Sequence, residues 1–192
     1  MGVGTEELIK QVKKLLGGEL QIPSIQRGYV WKRTQIPRLL DSLYRDYPVG
    51  SLLIWDTDLD FPVKTAAVIQ STPQYGKPGV LLDGQQRLTS LAWVYRPEAA
   101  GPGIRVPDVR FDIRVEEFLL PSAVQRRDPF LIPVGSVLAD DAQFASLLKP
   151  LGIGFDHPNY EEFYERLNRL RSVRDYQMPV QSVSSNDYET VA

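Results

Sequence analysis

The sequence predicts an α+β domain, and three observations carry that prediction. Helical apolar spacing and short strand-like runs alternate without a regular βαβ rhythm. At 192 residues the chain is long enough for one substantial core, and its composition is that of a globular protein: 43% apolar, 24% charged. The densest stretch, Val80-Leu81-Leu82-Asp83-Gly84-Gln85-Gln86-Arg87-Leu88, reads as a strand, a tight turn and the start of a helix.

In chain order, Thr5-Glu6-Glu7 suits a helix start, Leu8, Ile9, Val12, Leu15 and Leu16 form its buried face, and Gly17-Gly18 ends it. Leu20 to Lys32 contains Pro23 and Gly28, so it is expected to be extended with a turn rather than a regular strand. Thr34 is placed to cap a second helix, with Ile36, Leu39, Leu40, Leu43, Tyr44 and Tyr47 as its apolar stripe. Ser51-Leu52-Leu53-Ile54-Trp55 reads as a buried strand, and Val63 to Ile69 as a further strand in a proline-punctuated excursion. Leu88, Leu91, Ala92 and Tyr95 give the next helix its face, and 96–103 is a loop by composition. Val109 to Val115 alternates as a half-buried strand does, and Phe130 to Val134 suggests another. Helices are expected over Ala142–Lys149 and Pro158–Val173, a strand over Met178–Val183, and a last helix from Ser185 onward.

Several function classes drop out early. The net charge of −2 gives no global electrostatic attraction for nucleic acid, so any DNA contact needs a local patch. Zero cysteines exclude disulfides and thiol catalysis and fit a reducing, cytoplasmic setting. The single histidine, His157, cannot build a histidine-rich metal site or an HNH nuclease centre. No apolar run reaches membrane-spanning length, and no P-loop sequence is present.

Two stretches have the residue types of a site. A helix N-terminus after the Asp83-Gly84 turn offers free backbone N–H groups and a positive dipole end, which favour an anion. Arg87 adds a guanidinium fork suited to phosphate, Asp83 can cap the helix or help hold a metal ion, and Gly84 permits a sharp turn. Upstream, Arg27 and Lys32 interleave with Tyr29 and Trp31, a mixture that suits phosphate contact and stacking. The plain alternative is that the aromatics fill the core and the cations cover them.

Three segments together resemble one family. Ile22-Pro23-Ser24-Ile25-Gln26-Arg27-Gly28-Tyr29-Val30-Trp31, Tyr47-Pro48-Val49-Gly50-Ser51-Leu52-Leu53-Ile54-Trp55 and Leu82-Asp83-Gly84-Gln85-Gln86-Arg87-Leu88-Thr89-Ser90-Leu91 follow, in order and spacing, motifs of the N-terminal GmrS-type domain of GmrSD-like type IV restriction proteins. That group includes the SspE phosphorothioate-sensing proteins. The resemblance implies a ParB- and sulfiredoxin-like mixed core with added helices. It also implies a domain sensing modified DNA, with nucleotide (GTP or ATP, with Mg²⁺) controlling an HNH nuclease domain further along the same chain.

Carried over by position, Asp83, Gln85, Gln86 and Arg87 would be catalytic. Gln26, Arg27, Asp83, Gly84, Gln85, Gln86 and Arg87 would bind nucleotide, with Asp83 as a metal ligand. Pro23, Arg27, Tyr29, Val30, Trp31 and Lys32 would face the DNA modification, phosphorothioate being favoured over glucosylated cytosine. Relatives have proline at the position of Gly28. They also continue into a helix with a Phe-x-Arg-x-Asn pattern, which here would begin at Asn186, so the sequence ends before that pattern and nucleotide hydrolysis would be impaired. The contrasting reading is a non-catalytic interaction domain.

Overall fold

A computed structural model describes residues 2–24, 26–60, 62–63, 67–73 and 76–186. The chain runs β1 (Gly2–Glu7), α1 (Leu8–Leu16), β2 (Leu20–Gln21), α2 (Gln35–Tyr44), β3 (Leu52–Asp56), β4 (Gly79–Asp83) and α3 (Gln85–Tyr95). It continues through β5 (Arg110–Asp112), β6 (Glu117–Leu119), β7 (Leu131–Pro133), α4 (Val134–Leu138), α5 (Phe144–Leu148), α6 (Tyr160–Arg171) and β8 (Gln177–Ser184), with short 3₁₀ turns between. This is an α+β fold.

Five strands form the main sheet in the order β1-β8-β3-β4-β2. β8 pairs antiparallel with β1 and parallel with β3, β4 pairs antiparallel with β3, and β2 adds a short parallel edge to β4. A smaller antiparallel sheet, β6-β5-β7, lies apart from it in hydrogen bonding.

The helix at the centre is α3. Gln86, Leu88, Thr89, Ser90, Leu91, Ala92, Trp93 and Val94 are all buried, so no face of its middle turns meets water. A helix enclosed on every side belongs to the core rather than the surface. It can afford its small polar residues because they are bonded: the Ser90 hydroxyl donates back to the Gln86 carbonyl at 2.7 Å and pairs with Tyr29 Oη at 2.8 Å. α1 packs on α3 through Leu8, Val12, Leu15 and Leu16, and α2 contributes Ile36, Leu39, Leu40, Leu43 and Tyr44.

Several elements differ from the sequence expectation. Thr5, Glu6 and Glu7 belong to strand β1, and the helix begins at Leu8 without a side-chain cap. Thr34 likewise makes no capping bond, and Tyr47 lies outside α2 with 57% of its surface exposed. The expected strand over Val109–Val115 is cut to Arg110–Asp112, because the chain turns at Ile113 to form the β5–β6 hairpin. Val134 starts helix α4 instead of ending a strand. Of the expected strand at Val63–Ile69, residues 64–66 lie outside the described residues, and Val63 and Val68 each make an isolated bridge. Of the expected last helix, residues 187–192 also lie outside them.

Candidate functional site

The two segments singled out in the sequence come together at the N-terminal end of α3. Strand β4 carries Asp83 at its C-terminal end, and Gly84, at φ +92°, turns the chain into the helix. A Cβ at Gly84 would stand 2.3 Å from Leu52 Cδ2, so a larger residue is excluded by both conformation and space. No side chain caps α3, and its first intrahelical bond runs from Leu88 N to the Gly84 carbonyl. The preceding amides are thus left for solvent or a ligand.

The glutamines of the turn hold the 26–31 segment against this corner. Gln86, buried, accepts from Val30 N (2.9 Å) and Trp31 N (3.2 Å), and its Nε2 donates to the Gly28 carbonyl (3.1 Å). Gln85 Nε2 donates to the Arg27 carbonyl (3.2 Å). From the other side, Gln26 Nε2 donates to the carbonyls of Leu81 (3.1 Å) and Leu82 (2.5 Å). Gln26 Oε1 is buried and accepts no hydrogen bond among the described residues. Both segments therefore form one structural unit in which side-chain amides replace a regular ladder.

Arg87 is employed differently from the expected phosphate fork. Its Nη1 donates to the Val49 carbonyl, and its Nη2 donates to the Ser51 carbonyl (2.7 Å) and to Asp83 Oδ2 (3.2 Å). Its side chain is only 14% exposed, while the Asp83 carboxylate it pairs with is 73% exposed. Gly50, at φ +85°, makes the turn that offers those two carbonyls, and a Cβ there would lie 2.5 Å from Arg87 Nη1. The guanidinium thus ties α3 to the turn ahead of β3.

Arg27, by contrast, is exposed, and among the described residues it is bonded only through its carbonyl. It lines a cleft of about 290 Å³ with Ile22, Gly28, Tyr29, Gln85, Gln86 and Thr89, among others. Tyr29 is half-buried, its ring 4.4 Å from that of Trp93, and burial pushes its hydroxyl pKa up. Pro23 is buried, and Trp31 is partly buried against the core. Val30 is 53% exposed, and Lys32 beside it is exposed. The mixed segment therefore divides: Pro23, Tyr29 and Trp31 anchor it, while Arg27, Val30 and Lys32 face solvent.

Sequence reading did not single out two further cations close by in the chain, Arg33 just after the segment and Arg38 in α2, which are both exposed. The signal was available: from Gln21 to Leu40 there are four cations and no acidic residue. Among the described residues, the side chains of Arg27, Lys32, Arg33 and Arg38 make no ion pair. Most other arginines and lysines of the chain are paired, as in Lys13–Asp140, Arg114–Asp128 and Arg166–Glu162.

As for a metal, no group of three histidine, cysteine, aspartate or glutamate residues converges among the described residues. Asp83 could thus supply one oxygen to Mg²⁺ but no protein cage. No helix among the described residues is long and apolar enough to cross a membrane.

Comparison with known proteins gives a relative and a family. An uncharacterized protein of Methanocaldococcus jannaschii is 37% identical over 101 residues, which cover 48% of this chain and 17% of that relative. The chain thus corresponds to a small part of that longer protein. The family model described as the N-terminal domain of GmrSD restriction endonuclease matches residues 5–189. Almost the whole chain being covered, it belongs to the GmrSD restriction endonuclease N-terminal domain family.

Proposed function

We propose that this domain senses modified DNA for a restriction protein, reading the sugar–phosphate backbone through the exposed side chains of Arg27, Val30, Lys32 and Arg33, with Arg38 of α2. The observation that carries the reading is the run from Gln21 to Leu40, whose four cations are exposed, make no ion pair among the described residues and flank an exposed valine on a loop pinned by the Gln86 amide. Cations left without protein partners are available to phosphates, whose contacts position a duplex without reading its sequence. Val30 supplies the discriminating element. A phosphorothioate sulfur is larger and less strongly hydrated than a phosphate oxygen, so an apolar contact costs it less desolvation. Lys32 and Arg27 hold the remaining charge. This chemistry favours phosphorothioate over glucosylated cytosine as the recognised mark. The recognition state would act on a nuclease domain elsewhere in the full-length protein, since His157 is the sole histidine of this chain.

Nucleotide is assigned to the cleft beside α3. The uncapped helix start, Arg27 and Gln85 suit the phosphates of GTP or ATP; Asp83, which is outside the cleft lining and ends β4 just before the helix, would offer one oxygen to Mg²⁺. Bound Mg²⁺ would neutralise phosphate charge. Gln85 is the better candidate for orienting water, because the Gln86 amide is occupied by the loop. Arg87 acts through position, keeping α3 and the Val49–Ser51 turn in register.

A second reading rests on the same bonds. With Gln86 and Arg87 committed to backbone carbonyls and amides, the Asp-Gly-Gln-Gln-Arg turn would be a structural clasp in a DNA-binding domain that turns over no nucleotide.

Band-shift titration with matched plain and phosphorothioate duplexes tests recognition. Tighter binding of the modified duplex, lost in Val30→Ser and weakened for both duplexes in Lys32→Ala, is expected. Equal affinities for the two duplexes would refute it. Calorimetric titration of GTP and ATP with Mg²⁺ separates the two readings of the turn.

A further inference from the structure

We infer that the groove between α5 and α6, on elements remote in sequence from the proposed DNA face, is a docking site for a basic amphipathic segment of a partner polypeptide. Its floor and walls are an aromatic series. Phe155 packs on Tyr160 with ring centroids 4.7 Å apart, Tyr160 lies 5.8 Å from Tyr164, and Tyr164 meets Phe144 edge-on at 5.3 Å. The cavity holds about 610 Å³. Phe155 is 78% exposed and Tyr164 is exposed beside it. Neighbouring apolar rings left in water are the kind of surface that marks an interaction site.

The charge around the groove selects the occupant. Asp141, Asp156, Glu161 and Glu165 are exposed, and each is the immediate sequence neighbour of a lining residue: Ala142, Phe155, Tyr160 and Tyr164. None of the four makes an ion pair among the described residues. On α6 the lining positions Tyr160, Tyr164, Asn168 and Arg171 follow helical spacing, and Glu161 and Glu165 form the adjoining stripe. The cation in the lining, Arg171, is turned to the protein, donating to the Ala139 carbonyl and, through Nη2, to the Asp140 carbonyl (both 3.2 Å).

An aromatic trough rimmed by unpaired carboxylates repels a phosphate backbone and attracts lysine or arginine. Such side chains can lay their methylene stems on the rings, with their charge over ring faces or beside the acids. Aliphatic side chains of the same segment fill the trough, the groove-binding mode of amphipathic helices.

The test is selection of a random-peptide display library on the intact chain, followed by titration of the enriched peptides. Sequences combining Lys or Arg with Leu, Ile or Val are expected. Their affinity should fall about tenfold or more for the Glu161→Lys, Glu165→Lys double variant and for Phe155→Ser. Far-UV circular dichroism verifies that each variant is folded. Enrichment of acidic or purely apolar peptides, no enrichment, or binding indifferent to these substitutions would overturn the inference. So would concentration-dependent dimerisation that Phe155→Ser abolishes, since that would assign the groove to a second copy of the chain.

Discussion

Replacing Arg87 tests whether the Asp-Gly-Gln-Gln-Arg turn holds the fold or a ligand. In Arg87→Ala the Val49 and Ser51 carbonyls lose their charged donor, and the turn at Gly50 loses its link to α3. Hydrogen bonds to charged groups contribute about 1.5–3 kcal/mol each, so two of them in a nearly enclosed site come to about 3–6 kcal/mol. The Asp83 pair adds less than about 1 kcal/mol, because that carboxylate is largely in solvent. A loss of this size is a large part of the about 5–15 kcal/mol that holds a typical domain together. At about 2–4 °C per kcal/mol for a chain of this length, the melting midpoint should fall by about 10 °C. Arg87→Lys keeps the charge but presents a single ammonium where a planar fork spanned two carbonyls, so it should recover about half of the loss. Thermal unfolding followed by tryptophan fluorescence measures all three proteins. If Arg87→Ala melts within about 2 °C of the parent while nucleotide affinity falls more than tenfold, Arg87 is a ligand-binding residue and the reasoning fails.

Two further outcomes follow from the geometry. Gln86→Leu removes the acceptor shared by Val30 and Trp31 N–H, so hydrogen exchange at 28–32 should accelerate well before global stability is lost, and DNA affinity should drop with it; unchanged exchange there would dissociate the amide from the loop. The Asp140 carboxyl is held well below the usual carboxylate range by the Tyr95 hydroxyl, Lys13 and Arg174. A depressed folded pKa stabilises above the unfolded value of about 3.9 and is lost as pH falls toward the folded one. Asp140→Asn should therefore lower the melting midpoint by a constant amount above about pH 5, with the gap to the parent closing below about pH 4. A gap that does not narrow between about pH 5 and pH 2 would contradict the assignment.

How much of this was legible in the sequence depended on how local the cause was. The apolar faces of α1, α2 and α6 could be read because helical spacing brought Leu8, Val12 and Leu15, or Phe163, Leu167 and Leu170, to one side. β1 could not: most of its residues are exposed and it exists through pairing with β8, far along the chain. Thr5-Glu6-Glu7 therefore looked like a helix cap. β6 and α4, three and five residues long, are shaped by the hairpin and core they close rather than by their own pattern. At the site, the arginine fork of Arg87 was readable as chemistry, but its target was not. The acceptors are main-chain carbonyls at Val49 and Ser51, and no side-chain pattern announces those. The buried role of Gln86 was hidden for the same reason, since its partners are the N–H and C=O groups of 28–31.

The position of β8 in the sheet has a consequence for how the protein is made. Among the described strands it is the final one to be synthesised, yet it sits between β1 and β3 and bonds to both. On the ribosome, the earlier strands must wait for nearly the whole domain to emerge, with β1 unattached and one edge of β3 open to foreign strands. A chain halted before Gln177 should thus be aggregation-prone and chaperone-bound. Arrival of the segment to Ser184 closes the sheet in a single late step, so a half-made domain offers no stable scaffold for the loop at 26–31.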